Sequence, residues 1–113
     1  MIDLSKPDTL AAIINEMAPD AIINTAAYTA VDKAESEKEL ALAVNVQSVE
    51  KMAAIAHQRK IPFITFSTDY VFTGNATTPY STDTALAPLN FYGSTKADGE
   101  RLAIAANLSL IHI

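Results

Sequence analysis

Ile61-Pro62-Phe63-Ile64-Thr65-Phe66-Ser67-Thr68-Asp69 divides into an apolar half and a polar half. The apolar half is short and rich in β-branched and aromatic residues, the composition of a buried strand, placed here at 61–67. Its polar end, Ser67-Thr68-Asp69, then falls at the carboxyl edge of a sheet, where open α/β folds bind ligands. Upstream, Ala21-Ile22-Ile23-Asn24 reads as a second buried strand and Met1-Ile2-Asp3-Leu4 as the end of another. Ser5, with Pro7 and Asp8 behind it, forms a Ser-x-x-Asp capping pattern before a helix whose Leu10, Ile13, Ile14 and Met17 recur at helical spacing. Ala18-Pro19-Asp20 ends that helix. Residues 25–37 read as a loop passing into a helix, and 40–59 as a long helix with Leu40, Val44, Met52, Ala53 and Ile55 on its buried side. A final helix spans 92–106. Strand alternating with helix predicts a parallel sheet with crossover helices.

Tyr92-Gly93-Ser94-Thr95-Lys96 opens that last helix. Four residues apart on a helix, Tyr92 and Lys96 share one face. An ammonium beside a phenol favours phenolate and makes the phenol a better proton donor, and the Thr68 hydroxyl can hold a carbonyl against it. Tyr-x-x-x-Lys alone is a weak signal, because most such pairs are a half-buried tyrosine beside a solvated lysine. The order of parts raises its weight: a strand, Ser-Thr-Asp at its end, the long loop 73–91, then the tyrosine and lysine. A loop of that length in a compact domain is commonly functional.

Of 113 residues, half are hydrophobic and 19% charged, which fits one small globular domain with a core. The net charge of -5 and the lack of a basic cluster argue against nucleic acid or an anionic membrane surface as partner. There is no cysteine, hence no disulfide and no thiolate metal site. His57 and His112 stand alone and read as surface or packing residues. The sequence shows neither a membrane-length apolar run nor the pattern of a signal peptide, so a cytoplasmic protein is expected.

Ser67-Thr-Asp-Tyr-Val-Phe72, Pro88-Leu-Asn-Phe-Tyr-Gly-Ser-Thr-Lys96 and Gly99-Glu100 together resemble the extended short-chain dehydrogenase/reductase family. The block Asn24-Thr-Ala-Ala-Tyr-Thr-Ala-Val-Asp-Lys-Ala-Glu35 is similar to the branch that acts on dTDP-sugars, and the resemblance runs from about Ile2 to Asn107. It implies a nicotinamide-dependent reduction of dTDP-4-dehydro-L-rhamnose to dTDP-L-rhamnose by NADPH or NADH. On the matching positions, Thr68 is the catalytic hydroxyl, Tyr92 the general acid, and Lys96 the residue that holds the nicotinamide ribose and lowers the Tyr92 pKa. The same match assigns Asp3, Leu4, Ala26, Ala27, Tyr28 and Thr29, with Tyr92 and Lys96, to cofactor binding. Val31, Thr68 and Asp69 fall on substrate contacts. Read from the residues alone, Asp3-Leu4 is only a strand end with an acid, whereas the alanines allow close backbone approach to a ligand. Asp32 to Glu35 reads as a charge cluster at a helix start, Asn45 as a bridge to a neighbouring backbone, Tyr70 as a pocket wall or a buried aromatic, and Glu100 as structural. The resemblance also implies a dTDP-sugar as partner, a homodimeric parent, and a place for Mg2+ in a full-length member, although no ligand for it is visible here.

The pattern departs from the family in several places. Thr73 replaces the usual small acidic residue or proline of the Tyr-Val-Phe-x-Gly turn, and Tyr80-Ser-Thr-Asp83 lacks the glutamate common after that aromatic. A dinucleotide-binding fold opens with a strand, a glycine-rich turn and a helix. Gly74, Gly93 and Gly99 do not form that turn. The expected architecture is therefore a partial Rossmann-type doubly wound parallel sheet over 1–107, without its first βαβ unit or the C-terminal substrate region, and the chain as given is expected to be inactive. Leu108-Ser-Leu-Ile-His-Ile113 departs from the family and back-translates to CTG TCT CTT ATA CAC ATC, which resembles a transposon end used as a library adapter. Residues 108–113 are therefore expected to be a non-native tail, with a genuine apolar strand as the other reading. Two functional alternatives share the family pattern: an NADP-binding, non-catalytic regulatory subunit of the methionine adenosyltransferase type, and a sugar-nucleotide epimerase or dehydratase.

Overall fold

The computed structural model describes residues 1–107 and the backbone of 111–112. Three parallel strands form the sheet: β1 (Ile22–Asn24), β2 (Phe63–Thr65) and β3 (Ile111–His112), in that order. Ile22 pairs with Phe63 and Asn24 with Thr65, while Ile64 and Thr65 pair with Ile111 and His112. Of the tail, Leu108, Ser109, Leu110 and Ile113 lie outside the described residues. Helices α1 (Leu10–Met17), α2 (Val31–Ala34), α3 (Lys38–Leu42), α4 (Ser48–Arg59) and α5 (Phe91–Ala106) join and cover the strands. No helix among the described residues is long and apolar enough to cross a membrane.

The main core lies between α1, α4, α5 and β2. Leu10 and Ile14 meet Val49, Met52, Ala53, Ile55 and Ala56, closed by Phe63 and Ala103. A smaller cluster of Ala34, Ala41 and Tyr92, flanked by Tyr28, Val31 and Phe91, lies against the start of α5. Since burial of apolar surface is the main favourable term in folding, these two clusters hold the helices in place.

Several expectations change in detail. Residues 1–4 form no strand; Lys6 N–H bonds the Asp3 carbonyl at 3.1 Å and turns the chain. Ser5 does not cap α1. Its N–H and hydroxyl both donate to Asp3 Oδ1, at 3.0 and 2.6 Å, because a carboxylate two residues back is the nearer acceptor. The helix starts instead through a 3-10 turn at Pro7–Thr9. It ends at Ala18, whose N–H makes the last bond, to the Ile14 carbonyl, and whose left-handed φ of 46° turns the following chain out of the helix. Met17 is exposed, and so is Leu40. The long helix is interrupted by a π-helical segment at Ala43–Gln47, which widens one turn and re-phases the face that follows. Ala41, Asn45, Val46, Ser48 and Val49 are buried there, while Val44 is only partly covered. The ladder of β2 stops at Thr65, so Ser67 and Thr68 lie beyond it. Of 25–37, only Val31–Ala34 is α-helical.

Candidate active site

Both parallel strands release their chains at the same end of the sheet. Asn24, at the end of β1, donates from its amide to Thr65 Oγ1 of β2 (3.2 Å), and its Oδ1 accepts Ala26 N–H (3.2 Å). The turn carrying Ala26 to Thr29 is thereby aimed from its first residue. Asn45, inside the π-helical segment, holds the same turn further along. Its Oδ1 accepts Tyr28 N–H at 2.8 Å, and its amide donates to Tyr28 C=O and to Thr95 Oγ1, each at 3.0 Å. One buried amide thus joins this turn, the bulged helix and α5.

Beyond β2, Thr68 begins a 3-10 turn (Asp69–Val71), its Oγ1 accepting Tyr70 N–H at 3.3 Å. That turn packs on the first turn of α5, where Gly93 permits the contact: a Cβ there would overlap the Tyr70 carbonyl oxygen. The rings of Tyr70 and Tyr92 meet edge to face, centroids 5.6 Å apart. Helix α5 is fixed at its start by Asn90, whose Oδ1 accepts Gly93 N–H (2.7 Å), and by Glu35, whose carboxylate accepts Phe91 N–H (2.8 Å). Lower down, Gly99 touches the Asn45 backbone so closely that a Cβ would overlap its carbonyl.

Tyr92 and Lys96 are each 7% exposed. The Lys96 ammonium donates to the Phe66 carbonyl at 2.7 Å, using one of its three N–H bonds. Burial pushes the Lys96 pKa down, since it disfavours the charged form, and the attraction of Glu100 opposes that shift. Ser67 donates its hydroxyl to Glu100 Oε1. Ser67, Thr68, Asp69, Val71, Phe72 and Glu100 line a cavity of about 540 Å³ at this edge, with both apolar and polar side chains in its wall.

The remaining sequence candidates fall as follows. Asp69 is exposed at the cavity mouth, where Thr68 donates to it (3.3 Å). Val31 and Tyr28 flank Tyr92 in the smaller cluster. The Tyr28 hydroxyl donates to Glu37 at 2.5 Å, and that bond to a carboxylate raises its pKa to about 12. Thr29 is exposed. Asp3 is held by Ser5 and lies 3.6 Å from the Lys6 ammonium, contacts that lower its pKa, while Leu4 packs on the main core. Tyr70 is an exposed wall rather than a buried aromatic. Thr73 and Tyr80 act within the loop: Thr73 donates to Asn75 at 2.5 Å and Tyr80 stacks on Phe72.

A nicotinamide dinucleotide is matched in part. Small residues follow β1, and a buried lysine whose ammonium bonds the Phe66 carbonyl stands on α5. No glycine follows a described strand to cradle a pyrophosphate. Among the described residues no group of three or more His, Asp or Glu side chains converges as a metal site. Reasoning from sequence missed the roles of Glu35 and Glu37, whose partners lie 56 and 9 residues away and carry no local signal.

The family model of the RmlD substrate binding domain matches residues 1–113. The dTDP-4-dehydrorhamnose reductase of Escherichia coli K12 is 48% identical over 99 residues, covering 88% of this chain and 33% of that protein. A crystal structure of a dTDP-4-dehydrorhamnose reductase from Clostridium acetobutylicum superposes with a TM-score of 0.92 at 34% identity, covering 98% of this chain and 40% of that one. The Bacillus anthracis dTDP-4-dehydrorhamnose reductase, solved in complex with NADP, superposes with a TM-score of 0.91 at 31% identity, with the same coverage of 98% and 40%. The chain spans about a third of the length of the curated relatives it matches. The arrangement of strands and helices is that of a Rossmann-type reductase.

Proposed function

The chain belongs to the RmlD substrate binding domain family, and on that premise we propose that the protein containing it reduces dTDP-4-dehydro-L-rhamnose to dTDP-L-rhamnose with NADPH or NADH. The observation that supports the reading is the docking of the turn after Thr68 on the first turn of α5, where Gly93 meets the Tyr70 carbonyl, the Tyr70 and Tyr92 rings touch, and Lys96 bonds the Phe66 carbonyl. Tyr92 donates the proton to the C4 alkoxide as it forms, and the Thr68 hydroxyl holds the C4 oxygen in line with it. Lys96, held on the Phe66 carbonyl, binds the nicotinamide ribose. The nicotinamide, when bound, supplies the hydride. Ala26 to Thr29 border the cofactor, and Val31 and Asp69 border the sugar. Asp3 and Leu4 take the adenine end.

We infer further that residues 1–107 are part of a dinucleotide-binding domain in a cytoplasmic, homodimeric parent; a translated adapter at 108–113 stands against the parallel pairing of Ile111 and His112 with β2 and the family match through residue 113, and the codons of the raw nucleotide sequence decide between adapter and strand. The catalytic reading is tested with a full-length protein carrying this segment, by following NADPH oxidation dependent on the dTDP-sugar. Tyr92→Phe is expected to lower kcat on the order of 10²–10⁴-fold with a much smaller change in NADPH affinity. Turnover of a different keto sugar would move the substrate. NADPH binding with no turnover would favour the regulatory-subunit alternative.

A further inference from the structure

We propose that Glu100 is a positioning residue for Lys96, the two side chains clamping the segment after β2 to α5 so that the turn that Thr68 begins stays seated on the first turn of α5. The proposal rests on the roles given to these residues above and goes beyond them. Glu100 lies one helical turn past Lys96 on the same face of α5. Lys96 grips the Phe66 carbonyl at 2.7 Å, and Glu100 accepts the hydroxyl of the next residue, Ser67. Two successive residues of the strand end are therefore held by two successive turns of one helix. The third is Thr68, whose place follows from the grip on the first two. The Glu100 carboxylate belongs to the same cavity wall as Thr68 and Asp69.

The clamp has an electrostatic side. A buried ammonium is pushed toward the neutral amine, and Glu100 supplies the opposing negative charge. Other charged groups on the elements around α5 are engaged elsewhere or face solvent. Asp69 accepts from Thr68, Glu35 holds Phe91 N–H, and Lys38 lies over the Phe91 ring. Asp98 pairs with Arg101, Lys51 with Asp8, and Arg59 bonds Asn15. Asp32, Lys33, Glu39, Glu50 and His57 are solvent-exposed.

The test uses a full-length protein carrying this segment, with the Lys96 ε-ammonium followed by NMR across alkaline pH. Glu100→Gln keeps an acceptor for Ser67 and removes the charge. Lys96 should then lose its proton at a lower pH than in the wild type, and kcat should fall several-fold. Ser67→Ala keeps the charge but removes the hydroxyl bond that holds the carboxylate in place, giving a smaller shift in the same direction. Identical Lys96 titration in the wild type and Glu100→Gln overturns the proposal. If Glu100→Gln does not fold, Ser67→Ala with unchanged titration and unchanged kcat overturns it as well. Wild-type turnover of the dTDP-sugar is measured on the same sample, so failure of the functional reading is seen separately from failure of the clamp.

Discussion

Asn45 uses both ends of its amide, and this single residue ties three segments together. It is 2% exposed, its bond to Thr95 is buried, and its two bonds to the Tyr28 backbone are partly buried. Asn45→Ala would leave Tyr28 N–H and C=O without their side-chain partners and remove one bond from Thr95. Each buried group so orphaned costs about 1–3 kcal/mol. The expected result in a full-length protein is a loss of at least one such increment in urea unfolding, together with weaker NADPH binding as the Ala26 to Thr29 turn loosens. Asn45→Asp should fare little better, since a carboxylate accepts from Tyr28 N–H but has nothing to donate to Tyr28 C=O. Unchanged stability in both variants would show that the bridge contributes little.

Helix α5 carries the proposed chemistry, and its seat is set by two glycines on separate neighbours. Gly93 meets the 3-10 turn behind Thr68, and Gly99 meets the π-helical segment. Backbone lies opposite each, so an added methyl cannot be absorbed by a side-chain rotation. Gly93→Ala is expected to cost about 1–3 kcal/mol of stability, the usual range for overpacking, and to displace the Thr68 turn from Tyr92. Its kcat should fall further than that of Gly99→Ala, which strains the opposite end of the contact. Steady-state kinetics and thermal melts of the two variants decide this; equal losses of kcat would mean that the helix shifts as one body and that the local docking is immaterial.

Over the whole molecule, the three-stranded sheet leaves apolar surface along β1. Ile23 is 62% exposed, and with Ile2, Ile14, Met17 and Ile22 it lines a hollow of about 190 Å³. Strands of parallel sheets are normally covered on both faces, and an uncovered edge invites pairing with another chain. Expressed as these 113 residues, the polypeptide should therefore melt without a sharp transition or self-associate. It should also bind NADPH weakly or not at all, because none of its three glycines forms a pyrophosphate cradle. Calorimetric titration beside a thermal melt checks both parts; micromolar binding with a cooperative melt would show that a cradle and a covered edge matter less than argued.

Where contacts are local or periodic, the sequence alone determined the outcome. The apolar run before Ser67 became β2, the Ile22-Ile23 pair became β1, and the four-residue spacing put Tyr92 and Lys96 on one face of α5, because strand and helix periods follow from backbone geometry. The bridge from Asn45 to a neighbouring backbone was also expected from the sequence, and the Tyr28 N–H and C=O are the groups it meets. Tertiary structure alone decided the rest. The seat of α5 on Gly93 and Gly99 and the grip of Glu35 and Glu100 on backbone and hydroxyl groups join residues far apart in the chain, and the exposure of Leu40 and the π-helical turn show which face of the helix the packing covers. Such pairings depend on which surfaces meet when the core closes, and no local spacing encodes that choice.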